Sequence, residues 1–216
     1  MLIAGDSAAA GVGVSTQQDA LSGMLCEGLS AHYCVNWRLK AKTGVNSASL
    51  ANMLQDTNSH TDSPLTSTSM VFDLTVISIG VNDVTGFTSL YRWRRNIVQI
   101  IELLQTSYHC QSIVFTALPP MHEFPALPQP LRWVLGQKAK YLNNALVKLV
   151  NKYQGVNVLT LSLHPQEDSS SNNTLEYMAE DGFHPHSAGY QLWANAIIKL
   201  VNEEVDGLVG KSNKVS

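Results

Sequence analysis

"FDLTVISIG", from Phe72 to Gly80, is the stretch that decides the fold. It is short, rich in β-branched residues and closed by a glycine, so it reads as a buried β-strand. Similar segments recur on both sides of it, separated by runs with helical spacing. On the N-terminal side, Met1–Ala4 and "YCVNWRL" (Tyr33–Leu39) are strand-like, the second ended by Thr43-Gly44. Between them "DALSGMLCEGLSA" sets Leu21, Met24, Leu25 and Leu29 on one helical face. "NSASLANMLQ" is a shorter helix that Asn46 or Ser47 can cap, and polar "DTNSHTDSPLTSTS" (Asp56–Ser69) is a surface linker. On the C-terminal side follow an amphipathic helix, "LYRWRRNIVQIIELLQ", and a buried strand, "SIVFTA". Five prolines between Pro119 and Pro130 then exclude regular structure. "LRWVLGQKAKYLNNALVKLVNKY" is a long helix with a candidate break at Gly136, "VNVLTL" is a fifth strand, and a last helix starts near Ser187.

This alternation predicts an α/β protein, a three-layer α/β/α sandwich around a five-stranded parallel sheet. The expected strand order is flavodoxin-like, 2-1-3-4-5, with ligands bound beyond the carboxyl ends of the strands at the switch point. In that order the first strand lies between the second and third. Ser7, Gly44 and Asn82, which follow those three strands, would then meet at one crevice. The series runs without interruption, so 1–216 reads as a single domain.

Composition narrows the function classes. Hydrophobic residues make up 44% and charged residues only 14%, against a usual ~25% charged, so Ser, Thr, Asn and Gln must supply much of the surface. A net charge of -3 leaves no basic footprint for nucleic acid. The one basic cluster, Arg92-Trp93-Arg94-Arg95, reads as a solvated helix face. Cys26, Cys34 and Cys110 form no C-x-x-C pair, which argues against a zinc site or disulfide framework and fits a reducing compartment. No apolar run approaches the ~20 residues that span a bilayer. The four residues before Gly5 cannot hold a leader's basic region and apolar core. The expectation is a cytoplasmic protein without stable membrane insertion.

The chemistry centres on "LIAGDSAAAGVGV" (Leu2–Val14), which ends a strand at Ser7 among small residues that would leave room for a substrate. A serine attacks an acyl carbon when a base accepts its proton and donors stabilise the oxyanion. In "DGFHPH", Asp181 and His184 are three apart, so one turn can join carboxylate to imidazole. The Asp would fix the ring nitrogen turned away from Ser7. His186 has no carboxylate three residues before it and reads as a helix-start or surface residue. Asn82 in "SIGVNDVTG" offers a side-chain amide, Gly44 an unobstructed backbone N–H, and Ser7 its own N–H at the start of a helix. Asp6 and Asp83 read as loop-shaping residues. Gly11-Val12-Gly13 is no dinucleotide turn, because Thr16 stands where the third glycine belongs. The remaining histidines lack metal-ligand spacing. An α/β-hydrolase elbow is excluded, since Gly5-Asp6-Ser7-Ala8-Ala9 lacks the last glycine of G-x-S-x-G.

Gly5-Asp6-Ser7, Gly44, Gly80-x-Asn82-Asp83 and Asp181-x-x-His184-Pro185 resemble the four blocks of the SGNH hydrolases, also called GDSL lipases or esterases. They occur in the family's order and span nearly the whole chain. The resemblance implies a serine esterase with Ser7 as nucleophile and Asp181 and His184 completing the triad. It implies an oxyanion hole from Ser7, Gly44 and Asn82, and neither a metal nor an organic cofactor. Ala8 departs from the Leu, Ile, Tyr or Thr usual there, which is expected to widen the site. The expected substrate is a small-molecule acyl ester of short to medium chain. An acyl thioester, a lysophospholipid or an O-acetylated carbohydrate would use the same residues. A non-catalytic binding module on this fold would be marked by loss of Ser7, His184 or Asn82, and all three are present. The proline-rich segment leaves the sheet at the same edge as Ser7. Its Leu118, Met121, Phe124, Leu127, Leu131 and Trp133 either wall the acyl site or pack on the core, and Phe124 and Trp133 are expected to bind substrate.

Overall fold

Leu74–Ser78 forms the central strand, β3, of a five-stranded sheet, and all five of its residues are buried. A strand covered on both faces carries a continuous apolar run instead of an alternating one, which is what this segment offers. The computed structural model describes residues 1–56, 71–160 and 177–212, with side chains to Glu203 in the last stretch. Beyond Asp56, the polar linker read at 56–69 lies outside the described residues, as do His60 and His164.

The other strands are β1 (Leu2–Gly5), β2 (Arg38–Ala41), β4 (Ser112–Thr116) and β5 (Val156–Leu159). All pairings are parallel, in the flavodoxin-like order β2-β1-β3-β4-β5. The helices are α1 (Leu21–Ser30), α2 (Ser47–Gln55), α3 (Val81–Thr85), α4 (Leu90–Thr106), α5 (Leu131–Val150) and α6 (Ser187–Ser212). Alternate residues of each strand point to opposite faces, so the sheet divides the apolar residues into two clusters. Ile3, Leu74, Val76 and Val114 meet Leu21 and Leu25 of α1 and Tyr190, Trp193 and Ile197 of α6. Leu2, Ile77, Ile113 and Phe115 meet α2, α4 and α5 through Leu50, Trp93, Ile97 and Leu142. This is the three-layer arrangement expected.

Four local expectations need correction. The second strand is Arg38–Ala41, not 33–39. β1 is four residues long and its register runs from Leu2 opposite Arg38 to Gly5 opposite Ala41, so the chain before Arg38 has no strand to pair with. The proline-rich segment does hold one 3-10 turn, Met121–Glu123, in which the Glu123 N–H donates to the Pro120 carbonyl at 2.8 Å. Proline fits ahead of a first turn because its missing N–H is not needed there. α5 runs unbroken through Gly136, where a Cβ would lie 2.6 Å from the Cβ of His122, so the residue admits the 3-10 turn against the helix. The stretch after the central strand that carries Asn82 is a short helix, α3, not read from sequence because about one turn is too short to show a period. No helix among the described residues is long and apolar enough to cross a membrane.

Candidate active site

At the carboxyl end of β1 the Asp6 N–H donates to the Ser78 carbonyl at 3.0 Å, which joins the ends of β1 and β3. The chain then winds tightly over Ser7. The Ala10 N–H donates to the Asp6 carbonyl and the Val12 N–H to the Ser7 carbonyl, both at 3.0 Å. It does not continue as a helix: Gly11 and Gly13 hold φ of 85° and 105° and turn it away, and α1 begins only at Leu21. The helix start expected at Ser7 is therefore a turn.

Gly13 also explains why the residues after Ser7 are small. A Cβ there would lie 2.2 Å from the Pro185 carbonyl oxygen and 3.3 Å from the Cβ of His184. At that position the space is taken by the loop that carries His184, not by a substrate. This loop is a tight hairpin. The Ala179 N–H donates to the His184 carbonyl at 2.8 Å and the His186 N–H to the Tyr177 carbonyl at 2.9 Å. At its tip Asp181 Oδ1 accepts from the Phe183 and His184 amides, both at 2.9 Å.

The side chains then form a line. Asp181 Oδ2 lies 2.5 Å from His184 Nδ1, and His184 Nε2 lies 3.0 Å from Ser7 Oγ. Partial desolvation works to raise the Asp181 carboxyl, but hydrogen bonds from the His184 ring and from the His184 and Phe183 amides outweigh it and hold it below its usual value. The imidazole is buttressed by aromatic edges. Phe183 meets His184 at 5.3 Å between ring centres, and Phe124 meets Phe183 at 5.3 Å. His186 plays a different part, since its Nδ1 accepts from the Ala188 N–H at 3.4 Å at the start of α6. Beside Ser7, burial pushes the Asp6 carboxyl up to about 7 in spite of hydrogen bonds from the Ala8 and Ala9 amides and Ser78.

Gly44 and Asn82 follow β2 and β3, the two strands on either side of β1. Gly44 has φ of 80°, and a Cβ on it would meet nothing within 4 Å, so the backbone demands the glycine while its outer side stays open. Asn82 Nδ2 donates to the Val45 carbonyl at 2.9 Å. A side-chain amide has two N–H groups, which leaves one for a ligand. Among the described residues the backbone N–H groups of Ser7 and Gly44 have no acceptor. These three groups are the candidate oxyanion donors.

A narrow cavity of about 40 Å³ opens beside Ser7, walled by Ile79, Val81, Leu118, Phe124, Phe183 and Trp193. Phe124 is buried in this wall, but Trp133 is not. It is 60% exposed in the first turn of α5. The inward face of that helix runs through Leu135, Ala139 and Leu142, and at 100° per residue Trp133 points away from it. Leu131 shares the inward face by spacing but is 41% exposed as the first residue of α5, whereas Met121 and Leu127 pack into the core. Phe183 and Ile79 were missed from sequence, although both lie beside motif residues. Among the described residues no group of three His, Cys, Asp or Glu side chains is placed to hold a metal ion.

Several solved structures share the fold. The psychrotrophic esterase EstA of a Pseudoalteromonas species superposes with a TM-score of 0.66 at 13% identity, covering 95% of this chain and 97% of that one. A family 3 carbohydrate esterase of Clostridium thermocellum gives 0.62 at 17% identity, with 96% and 97% covered. A carbohydrate acetylesterase of Sinorhizobium meliloti gives 0.62 at 16% identity, with 94% and 98% covered. No curated protein sequence matches the chain. The sequence itself matches the GDSL-like lipase/acylhydrolase family over residues 3–192, a span that takes in Ser7, Gly44, Asn82, Asp181 and His184. The chain belongs to that family and is a serine ester hydrolase.

Proposed function

We propose that the protein hydrolyses carboxylic esters of short acyl chains through an acyl-enzyme on Ser7. The observation that carries this reading is the line Asp181–His184–Ser7, at 2.5 and 3.0 Å. His184 Nε2 takes the Ser7 proton as Oγ bonds to the acyl carbon, and Asp181 stabilises the imidazolium. The oxyanion is held by the N–H groups of Ser7 and Gly44 and by the Asn82 amide. Collapse of the tetrahedral adduct returns the proton from His184 to the departing alcohol. A water, deprotonated by the same imidazole, then attacks the acyl-enzyme, releases the acid and restores Ser7.

The cavity beside Ser7 supports the acyl size. A site needs ~10–15 Å³ for each water-sized group, so 40 Å³ admits a chain of a few atoms. The leaving alcohol faces the open side of Gly44, where bulk is tolerated. An acetyl group on a carbohydrate hydroxyl fits that combination, and two of the structural neighbours are carbohydrate esterases by name. A fluorophosphonate should add one phosphonyl group, recovered on the peptide containing Ser7, and block hydrolysis of p-nitrophenyl acetate. Ser7→Ala should abolish both. Full activity in a folded Ser7→Ala protein would overturn the reading.

A further inference from the structure

Beneath the open crevice lies a buried polar cluster that the chemistry above does not use. The Ser47 N–H donates to Asp83 Oδ2 at 2.8 Å and the Ser47 hydroxyl to Asp83 Oδ1 at 2.6 Å. Asn96 of α4 donates through Nδ2 to the same hydroxyl at 2.9 Å. Ser47 and Asp83 are 0% exposed and Asn96 3%. Among the described residues, no buried side-chain nitrogen or oxygen lacks a partner.

Such a cluster is poorly explained by stability alone. Apolar groups of the same shape in a buried site are often as stable or more so. A fully satisfied polar network does fix one arrangement of the elements that meet in it. Here those elements are the loop from Gly44 to Ser47 and the start of α3. Asp83 is the neighbour of Asn82 in sequence, and Ser47 lies three residues beyond Gly44. The bond from Asn82 to the Val45 carbonyl is a second tie between the same two segments. Burial pushes the Asp83 carboxyl up, against the two Ser47 hydrogen bonds, one from Thr88 and the nearby charge of Lys138.

We infer that Ser47, Asp83 and Asn96 are positioning residues that set the spacing between the Gly44 and Asn82 oxyanion donors. This rests on the oxyanion hole proposed above. Preorganised donors must sit where charge will develop, and a displacement of about 1 Å can cost roughly a hundredfold in rate. The clamp holds both donors from behind without touching substrate.

The test is a double-mutant cycle on p-nitrophenyl acetate hydrolysis, with active sites counted by fluorophosphonate labelling. Ser47→Ala should lower kcat per active site by about ten- to hundredfold, with KM unchanged. Asn82→Ala should lower it by roughly a hundred- to thousandfold. The double variant should fall far less than the product of the two, because Ser47 acts through the donors that Asn82 belongs to. A kcat unchanged in Ser47→Ala, or a fully multiplicative double variant, overturns the inference while leaving the ester hydrolase reading intact. An unchanged kcat in Asn82→Ala removes the oxyanion assignment and the inference with it. Should Ser47→Ala not fold, Ser47→Cys, which keeps a weaker donor in similar volume, enters the same cycle with the same outcomes.

Discussion

His184 and His186 stand two residues apart and face different partners. His184 meets Ser7 and Asp181, while His186 accepts the Ala188 amide at the start of α6. His184→Ala should abolish turnover. His186→Ala should keep most of it and lose about 1 kcal/mol of stability, the usual worth of a helix cap. Paired steady-state rates and urea midpoints check both outcomes. Gly13 is the sterner test of how the site closes. Gly13→Ala places a methyl against the Pro185 carbonyl, so the folded variant should lose most of its activity although Ser7, His184 and Asp181 are untouched. The i,i+3 spacing of Asp181 and His184 was legible in sequence because the pair lies within one turn. The task of Gly13 was not, since its neighbours come from the far end of the chain. Asp6 adds a pH signature. Its carboxyl is pushed from 3.8 to about 7 in the folded protein. The stability it contributes is therefore present below pH 3.8 and lost as pH rises through 7. Asp6→Asn should raise the melting temperature by a few degrees at pH 8, with the gain vanishing near pH 4.

Among the elements, the loop after β4 and the hairpin that carries His184 share one aromatic contact, Phe124 on Phe183. Both rings line the cavity beside Ser7. Phe124→Ala should extend the accepted acyl chain, raising relative kcat/KM for butyrate and hexanoate esters over acetate. Trp133→Ala should leave the profile unchanged, because its ring faces solvent. Rates on a series of p-nitrophenyl esters decide this. The sequence showed that the proline-rich segment reaches the carboxyl edge with an apolar load. It did not show which residues turn inward, because that depends on where α5 begins and how its face is rotated. The same limit applies to β2, whose bounds come from the length of its partner β1 and not from its own residues. The long periodic helix α4 could be read almost to the residue, and the buried β3 to within two residues at each end.

At the scale of the molecule the sheet separates two apolar layers, and the cavity wall draws on both, Trp193 from one and Ile79, Leu118 and Phe124 from the other. Ile197, fully buried where α6 lies on the sheet, is far from the catalytic line along its helix. Ile197→Ala should cost about 2–5 kcal/mol of stability, read as a lower denaturant midpoint, while kcat at low temperature stays close to the parent value. Strand order and layer count were legible because alternation of strands and helices leaves few topologies. The buried clamp of Ser47, Asp83 and Asn96 was not, because three residues from separate helices give no local pattern. One consequence follows from the distance along the chain between Ser7 and His184, 177 residues. A ribosome adding ~5–20 residues per second exposes the serine about 10 to 35 seconds before its base exists. On the proposed mechanism the nascent chain carries, throughout that interval, a nucleophile without its base. On that reading competence for hydrolysis arrives only once Asp181 and His184 are made, and a product cut short before them has no power to cleave an ester.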